Sequence, residues 1–141
     1  PERPILTVDS LIGEWQGKAI TLYADLSQPT EFSTHLAIKQ KEHNQLEQSL
    51  SFGDRTISST ANIEGSRLLF DQNDFPTQVM LFPDGASCSC SLKVGLGPNF
   101  GLEMGWLLQP NIRQRIMRSY NEKGNWISCT LVTEKKVGNR K

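Results

Sequence analysis

From Gly13 onward the chain is a succession of short runs in which apolar and polar residues alternate, each closed by a glycine, proline or Asn/Asp signal. Period two is the strand period, because successive side chains of a pleated backbone point to opposite faces. The spacing predicts strands over Gly13 to Tyr23, Glu31 to Gln40, Leu46 to Phe52, Ile57 to Ile63 and Arg67 to Phe70. It predicts further strands over Gln78 to Phe82, Ala86 to Val94, Phe100 to Leu108, Ile112 to Asn121 and Trp126 to Lys136. Gly53-Asp54, Glu64-Gly65, Pro83-Asp84-Gly85 and Glu122-Lys123-Gly124-Asn125 supply the turns, since proline presets one dihedral and glycine accepts a positive one. About ten strands on short links read as an antiparallel barrel or sandwich. A closed barrel removes the sheet edges, and one of this size can hold a small ligand. The one helical signal is a turn over Thr7 to Ile12, with Thr7 or Asp9 as its cap. The fold class is therefore all-β, one barrel domain over residues 1–141 with a short N-terminal helix.

The charge pattern narrows the partners. Lys and Arg number 15 and so do Asp and Glu. Without a basic field there is no expectation of nucleic-acid binding. The tail Lys135-Lys136-Val137-Gly138-Asn139-Arg140-Lys141 reads as a solvated end. No apolar run is long enough to span a bilayer and no signal peptide is visible. The three cysteines are an odd count, and a bridge between Cys88 and Cys90 on one strand face would be strained. Free thiols and a reducing, cytoplasmic compartment are expected. Cys88, Cys90, Cys129 and a histidine match no zinc spacing, so neither metal nor cofactor is expected. His35 and His43 read as ordinary histidines.

The stretch Glu103-Met104-Gly105-Trp106-Leu107-Leu108-Gln109-Pro110-Asn111-Ile112-Arg113-Gln114-Arg115 sets an acid, an indole and two arginines around a Pro-Asn break. Arg113 and Arg115 share a strand face, where two cations need an anion or water. Gly101 and Gly105 share a face with Glu103 and leave room there. Two registers compete. One buries Phe100, Leu102, Met104, Trp106 and Leu108 with Ile112, Gln114, Ile116, Arg118 and Tyr120. The other buries Gly101, Glu103, Gly105 and Leu107 with Arg113, Arg115, Met117 and Ser119. Charge burial is costly unless the groups are paired or hold a ligand, and pattern alone does not choose between the two. No Ser-His-Asp set, Cys-His pair or phosphate-cradling loop stands out.

Four resemblances enter here. Leu11-Ile12-Gly13-Glu14-Trp15-Gln16-Gly17 resembles the opening of lipocalin-like proteins, which implies that Trp15 closes the barrel floor. Arg118-Ser119-Tyr120 resembles the Arg-x-Tyr of fatty-acid-binding proteins, where both side chains hold a carboxylate. Glu103, Trp106, Pro110, Asn111, Ile112, Arg113 and Arg115 match the Glu-x-x-Trp and Pro-Asn-Leu-Arg-x-Arg of S-type phycobiliprotein lyases, with isoleucine for leucine. Over Leu11 to Val137 the chain is similar to a cyanobacterial and plastid family of calycin-type proteins of uncharacterised function, some with two barrels. That resemblance implies a stand-alone member or the C-terminal domain of a longer one, in cytoplasm or plastid stroma.

The lyase resemblance implies a barrel that binds a bilin or related tetrapyrrole and works with a phycobiliprotein subunit. If the protein is an enzyme, it attaches the chromophore to a cysteine, with Glu103 and Arg113 as the catalytic pair. The ligand-binding candidates are Glu103, Trp106, Arg113, Arg115, Arg118 and Tyr120. Leu107-Leu108-Gln109 departs from the aromatic and small residues of the lyase loop. Two other functions fit the same residues: a carrier of fatty acids or other apolar anions through Arg118 and Tyr120, and a protein-interaction barrel without ligand.

Overall fold

The computed structural model describes residues 8–70, 77–82, 86–91 and 100–137, with backbone alone for Thr77 and residues 89–91. A single helical turn, α1 (Val8–Leu11), precedes ten strands: β1 (Gly13–Tyr23), β2 (Thr30–Glu42), β3 (Gln45–Phe52), β4 (Arg55–Glu64), β5 (Arg67–Phe70), β6 (Thr77–Leu81), β7 (Ala86–Ser91), β8 (Phe100–Gln109), β9 (Ile112–Tyr120) and β10 (Trp126–Val137). Each strand pairs antiparallel with its sequence neighbours, and β1 pairs with both β2 and β10. The sheet therefore closes into an up-and-down barrel without edges. The alternating runs become strands close to the predicted bounds. β7 ends at Ser91 among the described residues, and the Pro83-Asp84-Gly85 turn lies outside them.

Turn glycines lie where the hairpins need them. Phe52 pairs with Arg55, and Gly53 between them has φ +63°. Glu64 pairs with Arg67, so this loop is Gly65-Ser66, one residue later than the sequence signal suggests. Gly65 takes φ +62°, a conformation that costs other residues a steric clash between Cβ and backbone.

The floor of the barrel is built on Trp15, which is fully buried. Its indole Nε1 donates to the Leu11 carbonyl at 2.9 Å, and the Lys136 ammonium sits 5.2 Å over its ring. Lys136 also donates to the Ser10 carbonyl at 3.0 Å. Both bonds satisfy carbonyls at the end of α1, whose backbone bond runs only from the Ile12 N–H to the Val8 carbonyl, at 3.2 Å. Leu11, Leu36, Ile38, Leu46, Ala61, Leu68, Leu81 and Leu107 complete the apolar core. Most of them come from β2–β6, so the core is lopsided, with a different inner lining on β8–β10.

Candidate functional site

The inner lining of β8–β10 is charged. On β8 the inward set is Gly101, Glu103, Gly105 and Leu107, with Gly101, Gly105 and Leu107 buried and Leu102, Met104 and Leu108 exposed on the other face. On β9 Arg113 points inward and is only 6 % exposed. Of the two competing registers, the structure takes the one that buries charge. The reading that packs Phe100, Leu102, Met104, Trp106 and Leu108 inside is corrected by these exposures. What makes burial tolerable is an acid from a third strand: Glu134 on β10 is 1 % exposed and stands opposite Arg113.

Glu134 reaches that position through a register shift. At the start of the β9–β10 hairpin Trp126 pairs with Tyr120, but beyond an irregularity Ser128 pairs with Ser119. A one-residue step changes which side chain faces the core. Without it Glu134 would stand opposite Ile112 rather than Arg113. On the other side β1 comes unusually close. A Cβ on Gly17 would fall on the Thr133 carbonyl oxygen and 2.8 Å from the Cα of Glu134. Glycine at 17 is what lets β1 lie against the acid. Gly105 plays a milder version of this role, since a Cβ there would stand 3.1 Å from Arg115 Cγ and 3.1 Å from Ser87 Oγ.

The four charges are unequally committed. Arg115 donates to Glu103 Oε2 at 3.3 Å and to Glu134 Oε1 at 3.1 Å. Its Nε lies 3.0 Å from Glu134 Oε2, near enough for charge attraction though off line for a hydrogen bond. Burial alone would lower the Arg115 guanidinium, but the two carboxylates outweigh it and the net direction is up. Arg113 has one long contact, Nη1 to Glu134 Oε2 at 3.5 Å, and its buried Nε has no hydrogen-bond partner. Burial, helped by repulsion from Arg115, lowers Arg113 from its ordinary value to about 10. It stays charged at neutral pH, with donor capacity left over.

A cavity of about 300 Å³ opens between this cluster and the apolar wall. Glu103, Arg113, Arg115 and Met117 line one side; Leu36, Leu46, Leu50, Phe70 and Val79 line the other. Such an interior suits a molecule with an anionic head and an apolar body. The cluster brings Glu103, Arg113 and Arg115 together. Trp106, Arg118 and Tyr120 do not line the cavity. Arg118 is on the outer surface, where its Nε donates to the Tyr120 hydroxyl at 2.7 Å. The pair expected to hold a fatty-acid carboxylate thus binds itself on the outside, because Arg118 is an odd number of residues from the inward Arg113 and Arg115. Sequence reasoning missed Glu134 and Gly17, since the bulge that aligns Glu134 leaves no mark in an alternating run. Cys88 and Cys129 are free thiols; the side chain of Cys90 lies outside the described set.

The family model of the C-terminal domain of biogenesis factor required for ATP synthase 1 matches residues 2–137. The chain belongs to this family. It is also 53 % identical to a Nostoc punctiforme protein of unknown function from the DUF3598 family, with a TM-score of 0.86. That match covers 96 % of this chain and 51 % of the other, so the chain spans about half the length of that relative. The S-type phycobiliprotein lyase CpeS from Guillardia theta shares the fold, with a TM-score of 0.69 over 94 % of this chain and 92 % of the lyase, at 12 % identity. No match is found among curated proteins. Among the described residues no helix is long and apolar enough to cross a membrane.

Proposed function

We propose that the barrel is a binding protein whose interior holds an amphipathic carboxylate, with a bilin-type tetrapyrrole as the ligand class. The observation that carries this reading is Arg113: a guanidinium 6 % exposed, with an unpartnered Nε, facing an apolar wall across a cavity. A charge buried without full pairing is a costly thing to keep in a core, and a ligand carboxylate would complete it. Glu103 and Arg113 are the positions that match the lyase pattern, and the CpeS fold is consistent with that reading. A cavity of about 300 Å³ is at the small end for ligand sites. A bilin would enter by a propionate and leave part of its length at the mouth, whereas a single-chain carboxylate would fit whole.

Absorbance titration with biliverdin or phycocyanobilin, set beside a dodecanoate titration, tests the proposal. A saturable spectral shift is expected for the bilins. Arg113→Ala should weaken binding by about 1.5–3 kcal/mol, the range for a hydrogen bond to a charged group. Glu103 is the less buried of the two acids, its side chain 27 % exposed against 0 % for Glu134. Glu103→Gln should leave binding largely intact and slow any transfer to a phycobiliprotein cysteine, because it removes a proton acceptor without removing volume. Binding of dodecanoate alone would assign the cavity to a simpler carrier role. Silence with every ligand would end the proposal.

A second reading follows from the family description, which speaks of ATP synthase biogenesis. In this reading the domain assists assembly by holding a protein partner. The feature that favours it is the outer face of the barrel, where Leu102, Met104 and Leu108 are 46, 55 and 50 % exposed.

A further inference from the structure

The cavity wall that faces the charged cluster is apolar except at two places. On β3 the inward residues run Leu46, Gln48, Leu50, and on β4 they run Ile57, Ser59, Ala61. Each run has a polar residue at its centre, where the alternation calls for an apolar one. Gln48 pairs with Ser59 across the two strands, so they form one patch. Both line the cavity, and among its described lining residues they carry the only uncharged polar side chains. The outer face of the same two strands behaves differently. There Gln45 donates to Asn62 at 3.0 Å, and the Ser51 and Thr56 hydroxyls bond at 3.1 Å. Among the described residues the inward pair has no such partner, and its polar atoms face the cavity. Polar groups kept in a core wall with nothing to bond are costly, and a ligand group would complete them.

Strand order sets this patch opposite the charges. In the closed ring of ten strands β3 lies five strands from β8, and β4 lies five from β9. Glu103 on β8, and Arg113 and Arg115 on β9, therefore look across the cavity at Gln48 and Ser59. Ten strands about 4.8 Å apart and tilted by about 40° close into a ring about 20 Å across. With side chains reaching in from both sides, the gap between the two poles is on the order of 10 Å. A plain-chain acid meets only the charged pole and sets its methyl end against the Gln48 amide. A second carboxylate would be an anion with no cation beside it. A glutamine amide and a serine hydroxyl both donate and accept, so a neutral group such as a hydroxyl, amide or lactam is their match.

We propose that the cavity takes a two-ended ligand, a carboxylate held by Arg113 and a neutral hydrogen-bonding group at the far end held by Gln48 and Ser59. This rests on the reading of the interior as a carboxylate site and adds what selects the ligand there. An ω-hydroxy acid carries this chemistry, and so does a bilin, with propionates and terminal lactams. Calorimetry on the full chain compares 8-hydroxyoctanoate and 12-hydroxydodecanoate, each beside its plain parent acid, and biliverdin. A hydroxy acid that fits should bind about three- to tenfold tighter than its parent, the range of one neutral hydrogen bond. Gln48→Leu and Ser59→Ala should each reduce that ratio, and the double variant should bring it close to one. Arg113→Met should weaken hydroxy acid and parent alike and keep the ratio. Glu47→Lys, on the outer face of β3, should change neither affinity. A loss of about three- to tenfold for biliverdin alone in the double variant would assign the neutral group to a lactam, and a loss for the hydroxy acids alone would assign it to a hydroxyl. If every ligand that binds is indifferent to both substitutions, the second pole is overturned and the carboxylate site stands. If no acid and no bilin binds, both fall. Urea unfolding without ligand guards against a structural role. Gln48→Leu removes an unpartnered polar group and should unfold at the wild-type midpoint or above. An affinity loss accompanied by a lower midpoint in both single variants would mark the pair as structural and overturn the assignment.

Discussion

Glu134 and Arg113 show how differently two buried charges can stand in one cluster. Glu134 is fully enclosed and answers both guanidiniums, while Arg113 answers only one acid, at 3.5 Å. Glu134→Leu would strand both arginines and should destabilise the barrel by about 3–5 kcal/mol, as breaking a buried pair does. Arg113→Met should behave in the opposite way. The folded-state value of Arg113 is lowered by burial to about 10, below that of a free arginine, so the charged form opposes folding at neutral pH and the penalty is relieved only as pH rises above about 10. Removing that charge should leave the urea midpoint unchanged or raise it, while ligand binding weakens. A loss of stability comparable to that of Glu134→Leu would show that Arg113 is structural and would remove the main support for the interior site.

At the scale of the element, strand approach and strand register decide the site. β1 lies against Glu134 only because residue 17 is glycine. Gly17→Ala meets backbone atoms that no rotamer change can move, so β1 must shift from β10, and overpacking of this kind costs about 1–3 kcal/mol or more. Gly105→Ala meets mainly the Arg115 and Ser87 side chains, which can yield; calorimetry should find ligand affinity more affected than stability. The floor element is tested by Trp15→Ala, which removes a fully buried indole together with its bond to α1. Urea unfolding should register a loss of about 3–5 kcal/mol. A loss well below 1 kcal/mol would mean that the floor is closed by something else.

The whole molecule is a barrel with its polarity partly inverted along one side. Inside, charges from β8–β10 face an apolar wall; outside, those strands carry apolar side chains. The two faces do not overlap, so a substitution on one can leave the other in place. Thermal denaturation makes this visible. A ligand that binds only the folded barrel adds about 2.7 kcal/mol at a hundred times its Kd, and the melting temperature should rise to match. Arg113→Met should remove half of that rise or more, and Met104→Glu should preserve it. Equal loss in both would mean that ligand and partner share one surface.

The strands and turns follow from local properties of the chain. Period-two runs closed by glycine and proline place the strands to within a few residues, because alternation and turn chemistry are local properties. Trp15 as the floor residue and the grouping of Glu103, Arg113 and Arg115 were legible for the same reason: each depends on spacing within one strand or one short link. Which face those strands turn inward was decided only by the tertiary structure. The choice rests on the register shift between Trp126 and Ser128, on Gly17 admitting β1, and on Glu134 arriving opposite Arg113. These are contacts between strands far apart in the chain, and an alternating pattern reads equally well with either face inside. Burying two arginines is tolerable once Glu134 stands between them, and that acid was invisible until the barrel closed.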